Sequence, residues 1–477
     1  MTAYPKAYLQ WYLNSQRKKI MMYVGVLAVV VALPMWLIIT DNPHDMLITA
    51  TYIVLVIDTL GALIIPILQF RYLMNQRACD LYLPLPIKRK QMFFMQFGTG
   101  TMWLFLPNLM YLIAAVGNAA ARSYWKGYVF LMIILMFFAF VQYSVDTFLV
   151  LQCQNLIDAI FAMAGFLLTQ FLVIATIESL LSNTVNAVLP NGGSIYEFFP
   201  NWLNLLLSPI YSAMASINAL DDMVGRETIL YGFAKWQEYS GIHPFFIVAD
   251  TLLAGIAVYF AQSTYEKRKG EDGEQKTTSK WIYPLLITLV SGCLIFENIL
   301  SLNYFIFTVI LYFIMNFVAQ RKIVVQLRMV IRFVVLVIAA LGISRLLIDT
   351  KGFGLIQDSY TRNELVRVQL DINFMDMDYS IPESEQETLG AETIEYLTMS
   401  ELQDDVWLVD HVYELQKDIT AHNEYSDTTA AYINISYELT NHKQIYRYYK
   451  VDQKHLDQVH EIADYLIEHH YCVEGWY

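Results

Sequence analysis

The stretch GEDGEQKT, residues 270–277, comes close to the phosphate-cradling pattern G-x-x-x-x-G-K-[ST], with Gly270, Lys276 and Thr277 in register. Gln275 occupies the second glycine position, where main chain must approach phosphate, and the segment follows a long apolar run instead of a buried strand. It reads as a polar linker. His455, His460, His469, His470 and Cys472 gather near the C-terminus. His455 and His460 are five apart, unlike the i, i+4 pair of H-E-x-x-H, and adjacent His469 and His470 diverge, so no metal site is expected. With no G-x-S-x-G elbow or glycine-rich nucleotide fingerprint either, the chain is expected to be no enzyme. Three acids lie inside apolar runs: Asp58, Asp146 and Asp250. A charge at mid-bilayer costs about 2.5–3.5 kcal/mol on insertion scales, so each should face protein or water. Asp58 is the deepest. Asp58 and Asp250 are candidates for a translocation route, contacting a cationic substrate or carrying a proton, and the competing reading of Asp58 is a packing residue at a subunit interface. Asp146, with Asp158, lies nearer the inner face and is expected to be solvated or paired.

These acids need a membrane around them. The 477 residues are 56% hydrophobic and 16% charged, with a mean hydropathy of +0.39, against about 25% charged in soluble domains. Crossing a ~30 Å hydrocarbon core takes about 20 helical residues. About nine stretches qualify: 20–40, 46–70, 92–117, 127–151, 156–180, 244–265, 281–300, 303–320 and 328–348. Only Ser-Leu-Asn separates the seventh from the eighth, which predicts a tight hairpin. The first run follows NSQRKK, is longer than a signal-peptide core and lacks a small-x-small cleavage site after it, so it is expected to stay as a signal anchor.

Lys and Arg placement sets the orientation. With the N-terminus inside, the inner segments hold 17 basic residues and the outer loops between spans only Arg122, Lys126, Arg226 and Lys235. Nine spans then leave the C-terminus outside. Residues 350–477 contain 25 Asp and Glu against 8 Lys and Arg, a net of −17 within a chain of −13. The acidity belongs to this tail and argues against a nucleic-acid partner.

The tail has the texture of a soluble α+β domain. VRVQLDINF alternates Val366, Val368, Leu370, Ile372 and Phe374 on one face, as a half-buried strand does. AAYINISYEL and QIYRYYKV flank the short turn TNHK and predict a hairpin. Helical spacing joins Val406, Val409, Val412 and Leu415, and again Leu456, Val459, Ile462, Ala463 and Leu466 behind Asp452 as N-cap. Of four cysteines only Cys472 falls here, so no disulfide forms within the domain.

Between the second and third spans runs RYLMNQRACDLYLPLPIKRKQMFF, with Leu73, Met74, Arg77, Leu81 and Tyr82 in an interrupted amphipathic pattern. Pro84 and Pro86 lock φ and forbid helix through the bend. Lys88, Arg89 and Lys90 then open the third span, where the positive end of the helix dipole disfavours cations by about 0.3–1 kcal/mol each. Such charges hold the loop inside, beside anionic lipid. The stiff piece before them suits docking on a partner protein.

In order of features the chain resembles the type II exporter class of ABC (ATP-binding cassette) permeases: YPKAYLQWYLNSQRKK before the first span, the Arg71–Gln91 loop, and a larger outer loop, 181–243, between spans five and six. The linker, the three further spans and YINISYELTNHKQIYRYYKV resemble a Gram-positive subgroup with an extracytoplasmic C-terminal domain. The resemblance implies an amphipathic N-terminal segment 1–19 along the inner interface with Trp11 and Tyr12 at headgroup depth, a six-span core 20–265, a cytosolic linker 266–280, three added spans 281–348 and an outer domain 350–477. It further implies a cell-membrane permease in which Arg71, Leu73, Arg77, Leu81, Tyr82, Pro84, Pro86, Lys88 and Arg89 couple to a separate cytosolic ATPase subunit, in two copies, with a second permease subunit, same or related, completing the route. ATP and Mg would bind that partner, and this chain would carry no cofactor. Outer-loop helices around WLNLLLSPIYSAM would form an outer gate. Peptide, antimicrobial or lipid-linked cargo and antimicrobial-peptide resistance are compatible. The alternative is a membrane sensor or scaffold with the outer domain as receptor.

Overall fold

The computed structural model describes residues 3–32, 43–117, 125–188, 208–224, 244–277, 279, 282–298, 302–356, 360–374, 379–380, 393–394, 396–399, 401–421, 429–440 and 444–471. Most of the predicted outer loop 181–243, the turn residues 441–443 and Cys472 lie outside them. Two compact units emerge, Met1–Thr176 with Asn201–Leu336, and Ile177–Pro200 with Val337–Tyr477.

The first unit is helical. Helix α1, Ala3–Leu27, continues as a π-turn over Ala28–Ala32, so the predicted amphipathic segment and the start of the first span share one helix. Next come α2, Pro43–Phe70, a 3-10 turn at Arg71–Met74, α3, Gln76–Tyr82, α4, Arg89–Gly117, and α5, Trp125–Gln152. Helices α6, Leu156–Val188, α7, Pro209–Val224, and α8, Pro244–Lys267, follow. The predicted hairpin is α9, Tyr283–Asn298, against α10, Leu302–Gln320, and α11, Leu327–Asp349, comes last. Pro66 in α2 and Pro107 in α4 each leave a carbonyl without its helical donor, tolerable where neighbouring helices pack.

Five described segments are long and apolar enough to cross a membrane: Ile48–Met74, Val129–Gln152, Leu156–Val188, Pro244–Lys267 and Leu327–Asp349. Tyr283–Glu297 and Phe305–Gln320 are apolar but shorter. One core cluster joins Leu27, Val54, Tyr111, Leu135, Ile217 and Phe246. Outward stripes remain apolar, as with Val56, Leu60 and Ile64 of α2, and Val334, Val335 and Ile338 of α11. Water would penalise such contiguous apolar surface and lipid does not, so the chain is a helical membrane protein.

The second unit contains the predicted α+β tail. Strands β1, Leu365–Phe374, β4, Tyr396–Thr398, β5, Thr429–Leu439, and β6, Gln444–Asp452, form an antiparallel sheet ordered β4-β1-β5-β6. A two-stranded ribbon pairs β2, Tyr379–Ser380, with β3, Thr393–Ile394. Helices α12, Val406–Ala421, and α13, Leu456–Glu468, share the core with one sheet face. Val368, Leu370, Ile372 and Phe374 are buried as the alternation predicts, but a bulge between Leu365 and Arg367 turns Val366 outward. In α12 the first predicted core position, Val406, is exposed, and Leu408 and Ile419 join Val409, Val412 and Leu415 inside. All five apolar positions predicted in α13 are buried, and Asp452 caps a 3-10 turn leading into it, accepting from His455 N at 3.3 Å.

Candidate functional site

The bend between α2 and α4 is built in short pieces, each stopped by its own residues. Asn75, extended at φ −123°, ψ 120°, caps α3 by accepting from Ala78 N at 3.1 Å. Leu83 N closes the last turn on Cys79 O at 2.9 Å. Pro84 and Pro86 then bring no donors, and Ile87 N reaches Leu85 O at 2.7 Å in a tight turn before α4. Leu73 and Cys79 are buried, whereas Arg71, Arg77, Lys88 and both prolines are exposed, and Leu81 is 74% exposed. Burial pushes the Cys79 thiol up, away from thiolate chemistry.

Beside the bend lies an apolar groove of about 470 Å³ lined by Tyr8, Trp11, Leu81, Tyr82, Leu85, Pro86 and Ile87. Its far wall is α1. Trp11 is half exposed into it, and its ring centroid is 6.5 Å from that of Tyr82. Tyr12, expected at headgroup depth with Trp11, is instead buried and donates to Gln69. Gln96 donates to the Tyr8 hydroxyl at 3.1 Å and accepts from Tyr72 at 3.0 Å, and the Tyr72 and Tyr265 hydroxyls are 2.5 Å apart. A buried polar chain thus ties α1 to the bend, to α4 and to α8. Burial raises the Tyr8 phenol to about 12, so it stays protonated as a hydrogen-bonding partner.

Two arginines lock the bend's ends. Arg89 Nη1 donates to Glu266 O at 2.8 Å and to Arg268 O at 2.7 Å, capping the C-terminal end of α8. This explains a cation at an unfavourable helix start: the negative end of a second helix compensates it. Arg268, 7% exposed, donates to Cys153 O at 2.9 Å and Leu73 O at 3.4 Å, joining the ends of α5 and α2. Burial lowers its pKa, which still leaves a guanidinium charged.

The linker packs on the helices around it. A Cβ on Gly273 would meet Gln76 N at 3.0 Å and Asn75 C at 3.3 Å, so this glycine lets the linker rest on the start of α3. Thr277 Oγ1 accepts from Gln154 N at 3.1 Å, and Thr277 N donates to Asp158 Oδ2 at 3.1 Å. Asp158 also accepts from Tyr283 at 2.7 Å and pairs with Arg321 at 3.3 Å. The expected pairing of Asp158 is thus met, with the beginning of α9 and the end of α10.

Within the helices, Asp58 is 2% exposed and accepts from Asn108 Nδ2 at 2.7 Å. Asp58 Oδ1 and Asn108 Oδ1 have no hydrogen-bond partner among the described residues. Asp58, Thr59 and Gln142 line one small cavity, and Gln142 donates to both Asp146 oxygens at 3.1 Å while accepting from Gln170. Asp250 is buried on α8, with Oδ2 unpartnered among the described residues, and is not among the residues lining that cavity. Asp58 and Asp146 are therefore brought near one another through Gln142, and Asp250 stands apart from that cavity. Tyr8, Gln96, Tyr265 and Arg268 were missed at the sequence level, because isolated polar residues 88 to 195 positions from their partners carry no local signal. Among the described residues no group of three or more His, Cys, Asp or Glu is placed to hold a metal ion.

Comparison with known proteins returns no matching protein-family model, no matching curated protein and no matching solved structure.

Proposed function

We propose that the chain is the transmembrane permease subunit of an ATP-driven exporter in the cell membrane, with the 71–91 bend as the seat of a separate cytosolic ATPase subunit. The observation that carries this reading is the bend itself. It is a short capped helix with an exposed leucine, Leu81, standing over an apolar groove, and it is bonded at both ends to the helices it would move. A rigid piece of this kind transmits displacement, whereas a free loop absorbs it. Closure of two ATPase subunits would push on α3, and Arg89, Arg268 and the Tyr72–Gln96–Tyr8 chain would carry the push into α4, α8, α5 and α1.

The finer arrangement belongs to the same proposal: nine spans, N-terminus inside, the 350–477 domain outside, a second permease subunit completing the route, and ATP with Mg held by the partner. Asp58, Thr59 and Gln142 offer polar lining for peptide, antimicrobial or lipid-linked cargo.

The test is retention of an ATPase subunit by the full chain solubilised from native membranes, together with cysteine labelling at position 81. The expected result is a co-purified ATPase, lost on Leu81→Asp, with Leu81→Cys shielded from maleimide in the assembly. A position 81 equally reactive in native membranes and in the isolated chain would overturn the reading, as would residue 477 on the cytosolic side.

A further inference from the structure

The C-terminal sheet has a second face, opposite the one that shares its core with α12 and α13. Register places Tyr396, Asn373, Tyr432 and Lys450 side by side across the four strands, with Thr398, Asp371, Asn434 and Tyr448 in the next row. Below these come Gln369, Ser436 and Tyr446. Every residue in these rows is polar or aromatic, because the period of two sends the aliphatic side chains to the core. Tyr396, Tyr446 and Tyr448 are 50%, 50% and 41% exposed, a large aromatic area to leave in water.

We propose that this face binds a neutral oligosaccharide. The tyrosine rings stand at opposite edges of the sheet, Tyr396 on β4 and Tyr446 and Tyr448 on β6, with short amides and hydroxyls between them. Four strands at about 4.8 Å spacing separate those edges by roughly 14 Å, the scale of a short glycan. Sugar C–H bonds, polarised by neighbouring oxygens, stack on the electron-rich faces of tyrosine rings, and sugar hydroxyls need the mixed donors and acceptors that Asn, Gln and Ser supply. Tyr448 already stacks on Tyr432 at 5.3 Å, and Lys450 sits over the Tyr432 ring at 6.0 Å, which fixes the platform.

Charge identifies the occupant as neutral. Residues 350–477 carry a net −17, yet on this face Arg367 and Lys450 match Glu438 and Asp371, and Arg367 bonds Glu438 at 3.4 Å. Among the described residues the charges on this surface balance, so neither a cationic peptide nor an anionic polymer is the complementary partner. This inference concerns the domain's own surface and stands independently of any ATPase partner.

The experiment uses the full chain in nanodiscs, with β-1,4-linked N-acetylglucosamine hexamer and maltohexaose as probes and oligolysine and polygalacturonate as charged controls, read by saturation-transfer NMR and calorimetry. Expected is saturable binding of at least one neutral probe, weakened at least about tenfold by the double substitution Tyr446→Ala, Tyr448→Ala and largely kept by Tyr446→Phe, Tyr448→Phe. Unchanged thermal unfolding of the Ala variant separates loss of contact from loss of fold. No saturable binding of either neutral probe, binding indifferent to the Ala pair, or stronger binding of a charged control at this face would overturn the proposal.

Discussion

Arg89 Nη1 lies 2.8 Å from the main-chain oxygen of Glu266, so the residue that opens α4 closes α8. A charge-assisted hydrogen bond to a helix-end carbonyl contributes roughly 1.5–3 kcal/mol when the alternative is an unpaired carbonyl. Arg89→Ala should therefore loosen residues 266–268 and lower stability by about 1–2 kcal/mol, the lower end because Arg89 is only half buried. Trypsin cleavage after Lys267 and Arg268 in nanodiscs is the measurement. Cleavage as slow as in the parent chain would remove the cap from the account.

Gly273 makes a separate claim on the same region. A Cβ there would come within 3.0 Å of main chain, Gln76 N, which cannot rotate away as a side-chain tip does. Gly273→Ala should push the linker off α3 at a cost of about 1–3 kcal/mol, whereas alanine at Gly255, where nothing lies within 4 Å, should be neutral. Hydrogen exchange over residues 75–82 in the two variants distinguishes them.

What was legible beforehand follows the range of the interaction. Periodicity found the buried faces of β1 and α13, because each is set within one element, and it erred at Val366 and Val406, where a bulge and a helix start shift the phase. The proline bend and its exposed leucine were legible from Pro84, Pro86 and Leu81. Its fastening was not: Arg268 reaches Leu73 across 195 positions, and nothing local marks it as buried. The near-match at 270–277 was set aside on Gln275, and its Gly273 serves a packing against α3 that a polar-linker reading leaves out.

Asp158 gathers the ends of three elements. Asp158→Asn keeps the shape and loses the charge that holds Arg321 at 3.3 Å, while Tyr283 and Thr277 N still need acceptors. Because Arg321 is half exposed, the loss should be modest, about 1–2 kcal/mol, yet specific: amide hydrogen exchange over residues 275–277 should quicken, since Thr277 N donates to Asp158 and Asn155, itself held by Asp158, donates to Gln275 O. An unchanged exchange rate there would show that the linker is fastened by other contacts.

In the C-terminal domain Asp405 accepts from Tyr465 at 2.8 Å, Tyr471 at 3.2 Å and Leu408 N at 3.2 Å. Burial raises its pKa, but these bonds to the charged form outweigh it and hold the carboxyl below its ordinary value. Asp452 is lowered likewise, burial again opposing, by His455. A depressed carboxylate pKa contributes stability that is present above the unfolded value of about 3.9 and is lost as pH falls through the folded value. The domain should therefore lose stability below about pH 4. Asp405→Asn should flatten that acid limb in near-UV circular dichroism, and an acid limb of unchanged steepness would exclude Asp405 as a contributor.

Asp58 tests whether the buried acids serve packing or passage. Asp58 Oδ1 and Asn108 Oδ1 both lack a hydrogen-bond partner among the described residues, and an unsatisfied buried acceptor costs about 1–3 kcal/mol. Asparagine at 58 keeps the volume, still accepts from Asn108 Nδ2, and adds a second donor amide beside the unpartnered Asn108 Oδ1. If the acid is kept for work on a substrate, stability has been given up for it, and Asp58→Asn should unfold at an equal or higher temperature while cargo-stimulated ATP hydrolysis by the assembled complex is lost. Should the variant instead melt lower with stimulation intact, Asp58 is a packing residue and the route runs elsewhere.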